Sequence, residues 1–362
     1  MDVGSFAYTL VAFLIALGVL IFVHELGHFS VAKRLGVLVQ RFSIGFGPVL
    51  LRRRRGETEY AISALPLGGY VKMLGEEDDT EPEVAAAPER AFQHQALGRR
   101  AAIVFAGPAM NFLFAFLAYA AVFAFIGVET PSNTTRVGGV SAGLPAEAAG
   151  IHADDVIKAV DGTPVATWEE LSKAVVASDG KTLTLTVERG GKEFPLAVTP
   201  KLQDGRTLIG EKTAPVYRIG IEASHDWEQV GPIHAVGLAA QQTWRVSNLV
   251  VQGLGAMFTG RVPLRELGGP IAIARAAGQQ ARQGAKYYLM TMAFLSVNLG
   301  VLNLFPIPGL DGGLLFFFLI EAVMRRPLAQ RHREIAQQVG LFVLVTLMLF
   351  VFYNDIHRLV QG

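Results

Sequence analysis

Residues 6–23 (FAYTLVAFLIALGVLIFV) form an apolar run long enough to cross the hydrocarbon core of a bilayer. The run continues directly into HELGH, residues 24–28. Few features restrict a chain more. A lipid-embedded segment must be a helix, because only a helix satisfies its own backbone without water. Each ionisable side chain near the middle of such a helix costs roughly 2.5–3.5 kcal/mol. His24, Glu25 and His28 fall within one and a half turns, so something must bind them.

The run over 101–128 is also long enough to span. A third apolar stretch, 285–324, is interrupted by PIPGLDGG, and a fourth lies within 338–362. With 51% hydrophobic and 17% charged residues, the chain reads as a multi-pass α-helical membrane protein with about four transmembrane helices. The first run has no positive n-region and no A-x-A-like site after it, so it is expected to be a retained helix rather than a cleaved leader. Lys33, Arg34, Arg41, Arg52 to Arg55, Arg99 and Arg100 lie between the first two spans. Arg325, Arg326, Arg331 and Arg333 lie between the last two. The positive-inside rule places both segments in the cytoplasm, leaving both termini and the stretch from 129 to about 285 outside. A net charge of +1 gives no basis for nucleic-acid binding, and the absence of cysteine excludes disulfides and thiolate ligands.

Between the spans the character changes. Residues 1–35 carry the first helix with its HExxH. Residues 36–74 alternate β-formers with paired glycines and read as a membrane-associated β-hairpin region. Residues 75–100 are expected to be a cytoplasmic linker, whose acidic, proline-containing part (75–90) should be solvated and mobile. Residues 129–222 are polar and glycine-punctuated, the size of one α+β domain; within them TWEELSKAVV reads as a helix capped by Thr167 with Glu170. Residues 223–284 form an amphipathic extracytoplasmic segment, and 325–337 a cytoplasmic loop.

His24 and His28 stand four apart, on one face of a helix, and can hold one zinc ion. Glu25 is then placed to activate water at that ion. Two imidazoles leave a catalytic zinc short of protein ligands. Asp311, the one acidic residue between Lys286 and Glu321, is the candidate third ligand, because NLFPIPGLDGG breaks a helix there. Alternatively, Asp311 only caps the helix that follows Pro308 and Gly309.

HELGH, GPAMNF, LGGYVKM and NLFPIPGLDGG, in that order around a PDZ-like insert, resemble the bacterial site-2 proteases, in particular the regulator-of-sigma-E type. The resemblance implies an intramembrane zinc metalloendopeptidase, with His24, His28 and Asp311 as ligands to Zn2+ and Glu25 as general base. It implies that Asn303 helps hold the substrate or the active-site loop, as a substrate-binding residue in the first case, and that TEYAISALPLGGYVKM, with Gly68, Gly69 and Tyr70, is a re-entrant β-hairpin supporting an unwound substrate. The insert VGGVSAGLPAEAAGIHADDVIKAVDGTPVATWEEL resembles an extracytoplasmic PDZ domain, with Val137, Gly138, Gly139 and Val140 as its loop for a chain end. There is room for one such module, where related enterobacterial enzymes carry two. The implied location is the bacterial cytoplasmic (inner) membrane. The implied partners are the lipid bilayer and single-span membrane proteins, such as a trimmed anti-sigma factor or a signal-peptide remnant. Two other readings are a membrane-anchored PDZ scaffold and an ion-coupled transporter.

The charge asymmetry makes a direct prediction. Cysteines introduced at Ser5 and Asp154 should react with an impermeant thiol reagent in whole cells, and one at Arg53 should not. The reverse pattern would invert the topology.

Overall fold

The structure is a computed structural model that describes residues 3–76, 82–207, 211–326, 328 and 330–361. Helix α1 (Val3–Arg34) leads into a ribbon of β1 (Val39–Arg55) and β2 (Thr58–Met73). A short α2 (Pro82–Ala86) precedes α3 (Leu97–Phe125). Then come β3 (Val128–Pro131), β4 (Val137–Val140), α4 (Pro145–Ala148), β5 (Val156–Val160) and β6 (Thr163–Pro164). Helix α5 (Trp168–Ala177) is followed by β7 (Leu183–Arg189), β8 (Lys192–Val198), β9 (Lys201–Arg206) and β10 (Lys212–Arg218). Strands β11 (Ile221–Ala223) and β12 (His225–Glu228) lead to α6 (Pro232–Phe258). Helices α7 (Pro270–Gln283), α8 (Ala285–Leu304), α9 (Asp311–Met324) and α10 (Gln330–Gln361) complete the order.

The chain forms two compact units. One comprises Met1–Val122, Val236–Val251 and Leu264–Gly362; the other comprises Phe123–Ala235 and Gln252–Pro263. Among the described residues, four helices are long and apolar enough to cross a membrane: Gly4–Arg34, Leu97–Phe125, Ala285–Leu304 and Ile335–Val360. Phe6, Leu117, Phe342 and Leu349 stand exposed on them, as side chains facing lipid would.

In the first unit, the stretch 285–324 is two helices. Phe305 and Ile307 each precede a proline, which disfavours helical backbone, and Gly309 takes a φ of 98° that other residues avoid. The fourth long helix begins at Gln330 rather than 338; Pro327 and Ala329, in the expected loop, lie outside the described residues. The β ribbon is more than one hairpin. Val39 to Ile44 face Met73 to Gly69 on one side and, running the same way, Arg41 to Ile44 face Glu59 to Ile62 on the other. Leu51 to Arg55 then close on Ile62 to Thr58. The result is a four-run sheet with Gly69–Met73 along one edge, bent where Gly45 and Gly47 adopt positive φ. Its base joins Phe42, Val71 and Met73 to Ala32, Ile103 and Phe318 in one apolar cluster.

The expected mobile linker needs correction. Residues 77–81 lie outside the described residues, but 82–90 fold as α2 and a 3-10 turn, with Val84 and Ala91 buried against Leu74. Backbone bonds Leu74 N to Leu38 O (2.9 Å) and Phe92 N to Leu74 O (2.7 Å) fix both sides. Elsewhere in this unit, Asp355 of α10 accepts from the N–H groups of Gly269, Ile271 and Ala272, capping α7 from another helix.

The second unit, which holds the insert expected to resemble a PDZ domain, has a sheet in the order β6-β5-β7-β8 and α5 laid over a core of Val137, Ile151, Ile157, Leu171, Leu185 and Val187. Thr167 and Glu170 form the expected capping box. Asp155, almost fully buried, takes two bonds from Arg189, at 2.6 and 2.7 Å, and one from His152 N at 2.8 Å. Burial pushes its carboxyl up, but the Arg189 guanidinium and the His152 N–H outweigh this and hold it below the ordinary carboxylate range.

A carboxylate depressed on folding adds stability above its unfolded pKa of about 3.9, and that stability is lost as pH falls through the lower folded value. Arg189→Ala should therefore destabilise this unit at neutral pH, by leaving the buried Asp155 carboxylate without its charged partner. Limited proteolysis of the full chain should show the gap from wild type closing below about pH 4. A gap that persists unchanged in acid would show that the ion pair is not its source.

Candidate metal centre

Three elements of the first unit bring the site together. Helix α1 supplies His24, Glu25 and His28, with both imidazoles buried. Helix α3 crosses it closely: a Cβ on Gly27 would strike the backbone of Ala106, and a Cβ on Gly107 would lie inside contact distance of His28 Nε2 and of His24 Cε1. The glycine of GPAMNF therefore provides the space that the two rings fill. Helix α9 supplies Asp311 at its first residue. The backbone of Leu304 to Pro308 doubles back over that first turn and leaves no room for a Cβ at Gly312 or Gly313. Gly340 of α10 packs equally tightly on Pro308 from outside.

The ligand atoms converge. His24 Nε2 lies 3.2 Å from His28 Nε2, and Asp311 Oδ2 lies 3.1 Å from the first and 3.5 Å from the second. Asp311 is not the cap residue of α9: that position is Leu310, without a side-chain cap, and the buried Asp311 Oδ2 has no hydrogen-bond partner. A tetrahedral ion bound at about 2.05 Å separates its ligands by about 3.3 Å, which matches these spacings. The orphaned carboxylate oxygen and two facing imidazole nitrogens could thus serve as the donor set of a cation site, and two nitrogens with one oxygen would suit zinc. Among the described residues, no other three His, Cys, Asp or Glu side chains come together in this way.

The ring backs are held from α3. His28 Nδ1 bonds the carbonyl of Ile103 at 2.9 Å, and His24 Nδ1 lies 3.0 Å from Asn111 Nδ2. Asn111 falls within the apolar run over 101–128, where a polar side chain needs a partner, and no local pattern names which one. Asn303 Nδ2 reaches to 3.5 Å from His24 Nε2.

A cavity of about 320 Å³ opens on the cluster, lined by Glu25, Gly69, Tyr70, Asn303 and Leu310 among others. It shares Tyr70, Val71, Glu76, Leu314 and Gln337 with a neighbouring cavity of about 740 Å³. A Cβ on Gly69 would meet Glu25 Cγ at 2.9 Å, so the sheet edge rests directly on α1. Tyr70 stacks on Phe46 and accepts a bond from Arg41 at 3.2 Å. Gly68 does not line the cavity; it makes room for the Phe46 ring.

In the second unit, Val137 to Val140 are not a loop. They form β4, paired with Ala223 to Ile221, and the glycine run is explained by Gly138, whose Cβ would collide with the backbone of Ala223 and Ser224. A groove of about 350 Å³ lies instead between Trp168, Leu171 and Val175 of α5 and the segment Val216–Glu222, where Gly220 takes a φ of 87°.

The chain matches peptidase family M50 over residues 12–347. It is 36% identical to the regulator of sigma-E protease RseP of Salmonella typhimurium, over 98% of this chain and all of that protein. The Escherichia coli protein of that name is 35% identical with the same coverage. A candidate zinc metalloprotease of Mesorhizobium japonicum is 39% identical over 97% of this chain and 99% of its own. The Salmonella alignment runs 453 positions against 362 residues here, whereas the Mesorhizobium one runs 368. A solved PDZ domain of an SdrC-like protein from Listeria monocytogenes is similar over 26% of this chain and 93% of its own length, with 21% identity and a TM-score of 0.21.

Gly107→Ala should push both imidazoles out of register and lower bound metal to a small fraction of one equivalent, measured by elemental analysis. Gly98→Ala on the same helix meets nothing within 4 Å and should leave the metal in place. Equal metal content in the two variants would refute the packing account.

Proposed function

The chain belongs to peptidase family M50, and from that membership and the site within its membrane helices we propose that it is a zinc metalloendopeptidase that cuts the transmembrane segments of other proteins. The convergence of His24, His28 and Asp311 around one point carries the reading. These three residues hold the zinc. When bound, zinc activates a water for attack and polarises the carbonyl under attack. The Glu25 carboxylate takes the proton of the attacking water and passes it to the nitrogen of the departing amine.

A substrate helix must unwind before its backbone can be reached. The sheet edge at Gly69 to Met73, backed by α1 and lining the cavity, offers main-chain groups to an extended segment added as a further strand. Gly69 and Tyr70 form the part of that edge beside Glu25, and Asn303, which lines the same cavity, donates to the substrate. Gly68 supports the edge indirectly through Phe46.

Substrates are single-span membrane proteins, such as a trimmed anti-sigma factor or a signal-peptide remnant; the names of the RseP relatives support the former. The PDZ-like unit and both termini face outside the cytoplasm, as the basic segments argue. A single PDZ-like unit acts as a size filter, and its groove along α5 and Ile221 is where an extended chain end fits, rather than Val137, Gly138, Gly139 and Val140.

Purified protein in detergent should cleave a single-span substrate. Glu25→Gln should reduce the rate by about 10²–10⁴-fold while keeping its zinc. Asp311→Ala should lose both. Equal cleavage by wild type and Glu25→Gln would eliminate the proposal.

A further inference from the structure

Asn111 is completely buried in α3, and its side chain touches the metal cluster only through the back of His24. Its place is fixed from two sides. The backbone carbonyl of Asn111 accepts from Ser296 Oγ of α8 at 2.9 Å, and Gly300 on the same helix leaves room for the ring of the adjacent Phe112. The amide nitrogen Nδ2 faces His24 Nδ1 at 3.0 Å, while the amide oxygen Oδ1 is buried without a partner.

These facts conflict with a ligating His24. Its Nε2 is the atom that points at His28 and Asp311, so Nε2 must present a lone pair and the ring proton must sit on Nδ1. An N–H at Nδ1 needs an acceptor, and an amide nitrogen is a donor. His28 shows the consistent arrangement, with Nδ1 donating to the Ile103 carbonyl and Nε2 turned to the cluster. The two ends of an asparagine amide are related by a half-turn about its last bond and differ little in shape.

We propose that Asn111 is a positioning residue: with the metal bound, its amide is turned so that Oδ1 accepts from His24 Nδ1–H, fixing the tautomer and ring orientation that direct Nε2 at the ion. This rests on the zinc reading given above. It gives the last residue of GPAMN a role matched to that of its glycine: Gly107 admits the rings and Asn111 sets one of them. Partners of this kind alter metal affinity by about 10–100-fold when removed.

The test separates acceptor from donor. Asn111→Asp keeps the shape and can only accept; Asn111→Leu can do neither. The readout is the rate at which a chelator strips zinc from purified full-length protein in detergent micelles. Asn111→Leu should release zinc about 10–100-fold faster than wild type, and Asn111→Asp should stay within a few-fold of wild type. Zinc loss from Asn111→Asp as fast as from Asn111→Leu would overturn the inference, and so would unchanged release from both. If Asn111→Leu is not recovered as monodisperse protein, Asn111→Asp against wild type decides alone. A wild type that holds no zinc would sink the functional reading itself, a result distinct from either.

Discussion

The cost of placing titratable groups inside a membrane helix governs the rest of this structure. His24, Glu25 and His28 cannot be left to solvent, and the lipid-facing side of α1 offers them no partner. They are tolerable only if they face inward onto a site that draws on their lone pairs and charge. That requires a second helix close enough to seal the rings and a third element to bring the balancing carboxylate. Helix α3 meets the first demand through Gly107, Ile103 and Asn111, and the break before α9 meets the second. The break is also costly in lipid, since it frees backbone groups. At Pro308 the loop is packed against Gly340 of α10, and Gly309 and Leu310 line the cavity beside Glu25, so its backbone meets protein on both counts.

The far end of α9 is tied down differently. Glu321, buried, accepts from Arg100 of α3 at 2.8 Å, and the guanidinium lies over the Phe318 ring. Such a pair is weak evidence for net stability, because the desolvation of both ions offsets much of their attraction. Its geometric effect is plain, however. One helix, α3, contacts the metal-facing side chains near its middle and the end of α9 near its start. The helix that carries Asp311 is therefore held against the same neighbour that holds the histidines.

How much of this the sequence discloses depends on whether the information is local. The i, i+4 histidines on an apolar run and the proline-broken segment around Asp311 are local patterns, and all three converging side chains could be named from them. The capping box at Thr167 and Glu170 is local as well. The partner of Asn111 lies 87 residues away on another helix, and no pattern within GPAMNF points to it. The alternation over 39–73 announces strands but not which run pairs with which, so a four-run sheet reads as one hairpin. In VGGV a glycine run fits a ligand loop and a strand passing close to another backbone equally well; only the neighbouring Ala223 and Ser224 decide. The segment 82–90 carries too few apolar residues to show a period, yet Val84 and Ala91 suffice to seat it on Leu74.

Side-chain volume does little to set distances at the centre of this unit. Apolar burial gives helices no preference for each other over lipid, so close packing must be built from small residues and polar contacts. At Gly27 and Gly107 the two helices approach until backbone meets backbone or ring, and at Gly312 and Gly313 the chain folds onto its own preceding turn. At Gly27, Gly312 and Gly313 the contact is limited by main-chain atoms, which have no rotamers to relax; at Gly107 it is limited by the two imidazole rings. The spacing of His24, His28 and Asp311 is thus set among tight glycine contacts: α1 on α3 at Gly27, the rings on α3 at Gly107, and α9 on the preceding Leu304–Pro308. That accounts for why Gly27, Gly312 and Gly313 sit in the same short motifs as the proposed ligands: a metal site tolerates errors of only a few tenths of an ångström, and main-chain contact is the least adjustable means of setting it.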